Sequence, residues 1–373
     1  MDPSSASGSV QRVVRVTGNF QNEAPLHPDA RATLLDAIDQ GWSDPRKLHQ
    51  VSAKAKILRN HAIESIATAL SLHRDEIEIV GEPLLGYQLS ISGLLKSDTP
   101  FIHSAVERRE VMAIARAHGN STMIGIDGVG KLDIGKIAAL APTANSVISL
   151  QVANGETGVI QPIEEIVALS NGAMIACDYT SAGVDLPLPS RFSTALFDAR
   201  SWHGPAGVGV LAIRDSANWR NPLPHIGVAR TPGSSSLPLL LAAAVALESW
   251  HGARKEDAKS LRALNSTLRA GITKEIADVT IAGDLDQSLP HLLSISIDNI
   301  EGEELLRELD NEGIQVDAGS ACSADDIEPS HVLRAMGIAT AGNIRITLHP
   351  GSTESEITNL VANIKSAVSK LRS

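Results

Sequence analysis

Short apolar runs recur along the chain from Glu76 to Ile213, and several are separated by stretches of helical periodicity. The runs are "EIEIV", "TMIGI", "SVISL", "AMIAC", "TALFD" and "VGVLAI". Between them lie "ERREVMAIARAHG" and "QPIEEIVALSNG", with apolar residues at helical spacing. Strands that alternate with helices need crossover connections, so this pattern predicts a mostly parallel sheet covered on both faces. Upstream, "HPDARATLLDAIDQG" carries Pro28 near a first turn and Gly41 at an end, the signals of a helix start and stop. "DPRKLHQVSAKAKILRNHAIESIATALSLH" reads as one long amphipathic helix.

The order of elements changes after the apolar run "LPLLLAAAVAL" at Leu237. "HLLSISIDNI" reads as a strand, "EGEELLRELDNEG" as a helix, and "IQVDAG" and "NIRITL" as two more strands. "TESEITNLVANIKSAVSKLRS" closes as a helix with a capping pattern at Thr353. The chain of 373 residues therefore divides into a large α/β domain over 20–255 and a small α+β domain over 256–373. Residues 1–19, opening "MDPSSASGSV", read as a flexible leader without the pattern of a signal peptide.

The formal net charge of −11, with no basic run, argues against a nucleic-acid partner. The Leu237 run is shorter than the roughly 20 residues a bilayer crossing takes, so no membrane association is expected. Two cysteines, Cys177 and Cys322, indicate no disulfide framework and point to a cytoplasmic setting. The twelve histidines show no metal-ligand spacing, and no metal is expected.

A few residues stand where chemistry is done. In "DAGSACSADDIEPSHVLRAMG", Cys322 lies in a run of small and acidic residues, a setting for a nucleophilic or sulfur-carrying thiol rather than for a buried one. Asp178 follows the strand "AMIAC", at the edge where parallel sheets bind ligands; the alternative is a carboxylate that caps the next turn. Arg345 in "NIRITL" is either a bidentate carboxylate receptor or an outward-facing strand residue. "VANGETGVIQP", with Asn154, either approaches a ligand or simply turns the chain.

Taken in order, these segments resemble the cysteine desulfurases, in the class V branch of the fold-type I aminotransferases. The resemblance rests on "EGEELLRELDNEGIQVDAGSACSADDIEPSHVLRAMG" with "NIRITL", and on "NGETGVIQPIEEI", "DYTSAG", "SWHGPAGVGVL" and "RTPGSSSLP". It covers nearly the whole chain from Phe20. It implies a fold-type I large domain, a sulfur-accepting Cys322, and substrate contacts from Arg345 and Asn154. It also implies a homodimer, and pyridoxal phosphate held by a lysine and an aspartate.

The departures gather on that one cofactor. The lysine belongs in a His-Lys pair before the turn "GPAGVG", where this chain has Arg200 and Ser201. The phosphate cradle corresponds to "GEPLLGYQ", where Glu82 is anionic and Pro83 has no N–H. The ring-stacking histidine corresponds to Arg108, and the asparagine and glutamine at the ring hydroxyl fall at or near Gly155 and Ser181. Asp178 and His203 are kept, and Ser234 stands for the threonine that reaches a neighbouring subunit's phosphate. The expectation is a relic pocket of Arg108, Asp178, Ser181, Ser201, His203 and Ser234 that holds no pyridoxal phosphate. Cys322 would accept or transfer sulfur, with a true desulfurase or a sulfur-acceptor protein as partner. A non-catalytic scaffold, weak cofactor binding without a covalent link, and different chemistry in the vacated pocket remain open.

Overall fold

The computed structural model describes residues 17–23, 25–41, 43–225, 230–231, 236–318 and 329–373. Helices α1 (Pro28–Asp39) and α2 (Gln50–Ala69) precede the first strand, β1 (Ile77–Val80). Pro28 occupies the start of α1, and the His27 ring accepts from Asp29 N. The predicted helix over 44–73 is shorter than its periodicity suggests. The Asp44 carboxylate accepts from Arg46 N and ties that end into a local turn. Ser71, with a φ of 57°, ends the other.

A short helix α3 (Pro83–Tyr87) leads through a π-helical turn, Gln88–Ser92, to β2 (Phe101–Ser104). Then follow α4 (Arg109–His118), β3 (Ser121–Ile124), α5 (Ile134–Leu140), β4 (Val147–Gln151), α6 (Ile163–Leu169), β5 (Met174–Asp178), β6 (Thr194–Asp198) and β7 (Gly209–Ile213). The seven strands form one sheet in the order β1-β7-β6-β5-β4-β2-β3. Strands β2 to β6 run parallel, and β7 is antiparallel to both its neighbours, β6 and the edge strand β1. Every residue of β4, β5 and β6 is buried, as a sheet covered on both faces requires. β2, "FIHS", is polar at half its positions, so its apolar signal was too weak to read.

Helix α7 (Leu237–Glu275) runs 39 residues from one unit into the other. Up to Trp250 it packs on the core of the large sheet, and from Leu261 onward on the second core. There β8 (Val279–Ala282), β9 (Leu292–Ile297), α8 (Gly302–Asn311), β10 (Asp317–Ala318), α9 (His331–Ala335), β11 (Asn343–Thr347) and α10 (Glu354–Leu371) complete the chain. Their strands form an antiparallel sheet, β10-β11-β9-β8. Thr353 and Glu356 make the reciprocal capping contacts read from the sequence. The packing at the other end differs from the predicted boundary at residue 20. Phe20 is buried in the smaller core, its backbone bonded to Gln315 and Thr347, because that sheet offers its side chain an apolar seat.

Among the described residues, no helix is long and apolar enough to cross a membrane, and no group of His, Cys, Asp and Glu is arranged to hold a metal ion.

Candidate active site

The parallel strands end on one edge of the large sheet. Gln151 pairs with Asp178 across β4 and β5, so the carboxylate of β5 reaches that edge at the same level as its neighbour. Asp198 ends β6 beside it. From the small unit, Arg345 on β11 and His349 beyond it face the same space. A cavity of about 140 Å³ lies between, and Arg108, Ser181, Arg200, Ser201 and His203 all line it.

Asp178 is 5% exposed and fully engaged. Its Oδ2 accepts from the Tyr87 hydroxyl at 2.9 Å and from Arg108 Nε at 3.2 Å. Its Oδ1 accepts from Thr180 N at 2.8 Å and Thr180 Oγ1 at 2.6 Å. Burial raises the Tyr87 phenol well above its ordinary value, so Tyr87 is a donor here. The Arg108 guanidinium extends on to Ser181 Oγ at 2.5 Å. The resemblance grouped Asp178, Arg108 and Ser181 in one pocket, and the structure joins them by direct contacts. Tyr87 and Thr180 were missed, although Tyr87 stands in the quoted "GEPLLGYQ".

Gly155 completes this arrangement. A Cβ at that position would lie 2.6 Å from Ser181 Oγ and 2.9 Å from an Arg108 guanidinium nitrogen. A side chain there would require the Ser181 hydroxyl and the Arg108 guanidinium to shift, so glycine at 155 suits the arginine's present position.

The loop after β6 is organised by Asp198, whose Oδ1 accepts from Arg200 N at 3.0 Å and whose Oδ2 pairs with the Arg200 guanidinium at 2.6 Å. Ser201 Oγ donates to Asp198 O at 2.7 Å. His203 adopts a left-handed φ of 59° and stacks on Trp250 with ring centroids 4.9 Å apart. Burial, reinforced by His349, pushes the His203 imidazole down to about 4, so it is neutral at physiological pH. His291, also lining the cavity, is pushed down to about 4 by burial for the same reason.

Arg345 is reached from both units. It pairs with Asp317 at 3.0 Å and donates to Gly155 O at 3.2 Å. Asn154 is not brought to the cavity wall. Its amide donates to Val106 O and Gln151 Oε1, and its carbonyl accepts from Glu156 N and Thr157 N, so it builds the turn from within. Cys177 is buried within β5, and burial, then the nearby Asp178 and Glu107, raise its thiol above the ordinary value. Cys322 and Ser234 lie outside the described residues.

Glu107, next to Arg108 in the chain, is fully buried. Its Oε1 accepts from Gln151 N at 3.3 Å, and its Oε2 makes no hydrogen bond. Burial, then the charge of Asp178, push this carboxyl up to about 8.

These residues do not fit pyridoxal phosphate. A pyridinium nitrogen needs a free carboxylate, and the Asp178 oxygens are taken by Arg108, Tyr87 and Thr180. The Glu82 side chain accepts from Leu84 N at the start of α3, where Pro83 offers no N–H, so that helix end is closed to a phosphate by its own sequence. Among the described residues no lysine lines the cavity.

The comparisons with known proteins agree on the lineage. Residues 88–360 match the model of the family described as aminotransferase class-V. A cysteine desulfurase from Cereibacter sphaeroides is 30% identical over 93% of this chain and 94% of its own length. The cysteine desulfurase NifS of Azotobacter vinelandii is 29% identical over 91% of this chain and 89% of its own length. Among solved structures, a NifS-like protein of Rickettsia africae superposes with a TM-score of 0.84 at 20% identity, over 95% of this chain and all of the other.

Proposed function

This chain belongs to the cysteine desulfurase family of the class V aminotransferases, and on that premise we propose that it works without pyridoxal phosphate, keeping Cys322 as a sulfur-accepting or sulfur-transferring thiol. The observation that carries the reading is the Arg108–Asp178 pair at 3.2 Å, a charge on the protein standing where the resemblance puts a charge on the cofactor. Without an electron sink, cleavage of a carbon–sulfur bond at an amino acid has no route here. Receipt of sulfur needs none. A donor persulfide is attacked at its outer sulfur by the Cys322 thiolate; a new S–S bond forms, the donor thiolate leaves, and no net oxidation occurs. The donor in this reading is a true desulfurase or another persulfide-bearing protein, and the protein itself is a homodimer, as closed two-fold assemblies commonly are.

The test mixes the purified protein with an active desulfurase and L-cysteine and locates the added sulfur by mass spectrometry. Sulfur should appear on Cys322 and not on Cys177, which is 1% exposed and has a raised thiol. Cys322→Ser should abolish uptake with the fold intact. Equal complementation of a deletion strain by Cys322→Ser and wild type would replace the sulfur-transfer reading with that of a scaffold.

A further inference from the structure

The Arg345–Asp317 pair is built into the small sheet. Asp317 and Arg345 are directly opposite one another in the register of β10 and β11, and each side chain is 14% exposed. Asp317 Oδ2 accepts from Arg345 Nη2 at 3.0 Å, from Arg345 Nε at 3.3 Å and from Asn22 N at 2.8 Å. The remaining Arg345 Nη1 donates to Gly155 O, across the cleft. Arg345 lines the cavity, so its guanidinium is the group that a small carboxylate entering from solvent would meet on that wall.

We propose that Asp317 supplies this carboxylate from within the chain and so sets the specificity of the cavity against free α-amino acids and other small carboxylates. The proposal deepens the function given above and rests on a cavity that works without its ancestral cofactor. A cross-strand neighbour held in register is already oriented, whereas a free ligand gives up its translational and rotational freedom on binding. Displacing Asp317 would also leave a largely buried carboxylate without its cation, which is unfavourable. The occupied seat fits a protein that receives sulfur from a macromolecular donor rather than from free cysteine.

Asp317→Asn tests this. The variant removes the charge and keeps an acceptor for Asn22 N, so the strand pairing has what it needs. Calorimetric titration of the full-length protein with L-alanine should show at least about tenfold tighter binding to Asp317→Asn than to wild type. L-Alaninamide, which has no carboxylate, should gain nothing, and Asp317→Glu, which retains the charge, should behave as wild type. Adding Arg345→Gln to Asp317→Asn should remove the gain. Equal binding of L-alanine by wild type and Asp317→Asn, or a gain that survives Arg345→Gln, overturns the proposal. Because the titration uses no sulfur donor, its failure leaves persulfide uptake at Cys322 untouched, and failure of that uptake leaves the titration interpretable.

Discussion

Arg108→Ala should destabilise the folded protein by roughly 2–4 kcal/mol in urea unfolding at neutral pH. Removing one partner of a buried ion pair typically costs about 3–5 kcal/mol, because the other charge is left uncompensated. The Arg108 side chain is 34% exposed, so solvent screens part of the attraction and lowers the cost. Asp178 would keep Tyr87 and Thr180 as donors but lose its cationic contact, Arg108 Nε at 3.2 Å. Asp178→Asn placed in the Arg108→Ala background should restore part of the loss, since a neutral amide needs no counter-charge. A change within about 0.5 kcal/mol of wild type for Arg108→Ala would mean that the pair is ordinary surface chemistry.

The second large effect is a pH dependence centred on Glu107. Its folded carboxyl is pushed up to about 8 from an ordinary value of 4.5, by burial first and then by Asp178. The unfolded chain releases this proton near its ordinary value while the folded chain holds it. Stability therefore falls as pH rises from about 4.5 to about 8 and levels off above that range. Glu107→Gln keeps the shape and removes the titration. Relative to wild type it should gain roughly 3–5 kcal/mol of stability on going from pH 5 to pH 9. Urea unfolding of both proteins at the two pH values measures this directly. An equal difference between them at both values would show that Glu107 does not titrate in this way.

Much of the fold was readable because its signals are local. β4, β5 and β6 bury every residue, so their apolar runs are continuous, and Thr353 with Glu356 forms a capping pattern within four residues of sequence. β2 was not readable, since His103 and Ser104 are buried by the neighbouring strands rather than by their own polarity. The site was legible residue by residue. Arg108, Asp178 and Ser181 could be grouped through the resemblance, but their direct contacts depend on the ends of β2 and β5 lying at one sheet edge, which no local pattern encodes. The close approach of Arg108 to Gly155 is likewise a matter of a few ångströms between distant segments. Asp317 was missed because its partner, Arg345, is fixed by strand register rather than by sequence distance.

If the Arg108–Asp178 pair takes the cofactor's place, the protein retains no pyridoxal phosphate. The purified full-length protein is incubated with excess pyridoxal phosphate, passed through gel filtration, reduced with borohydride, and examined by visible absorption and peptide mass spectrometry. The expected result is a colourless protein with no cofactor retained on a specific lysine. A yellow protein that survives gel filtration and carries the reduced cofactor on one lysine would contradict it.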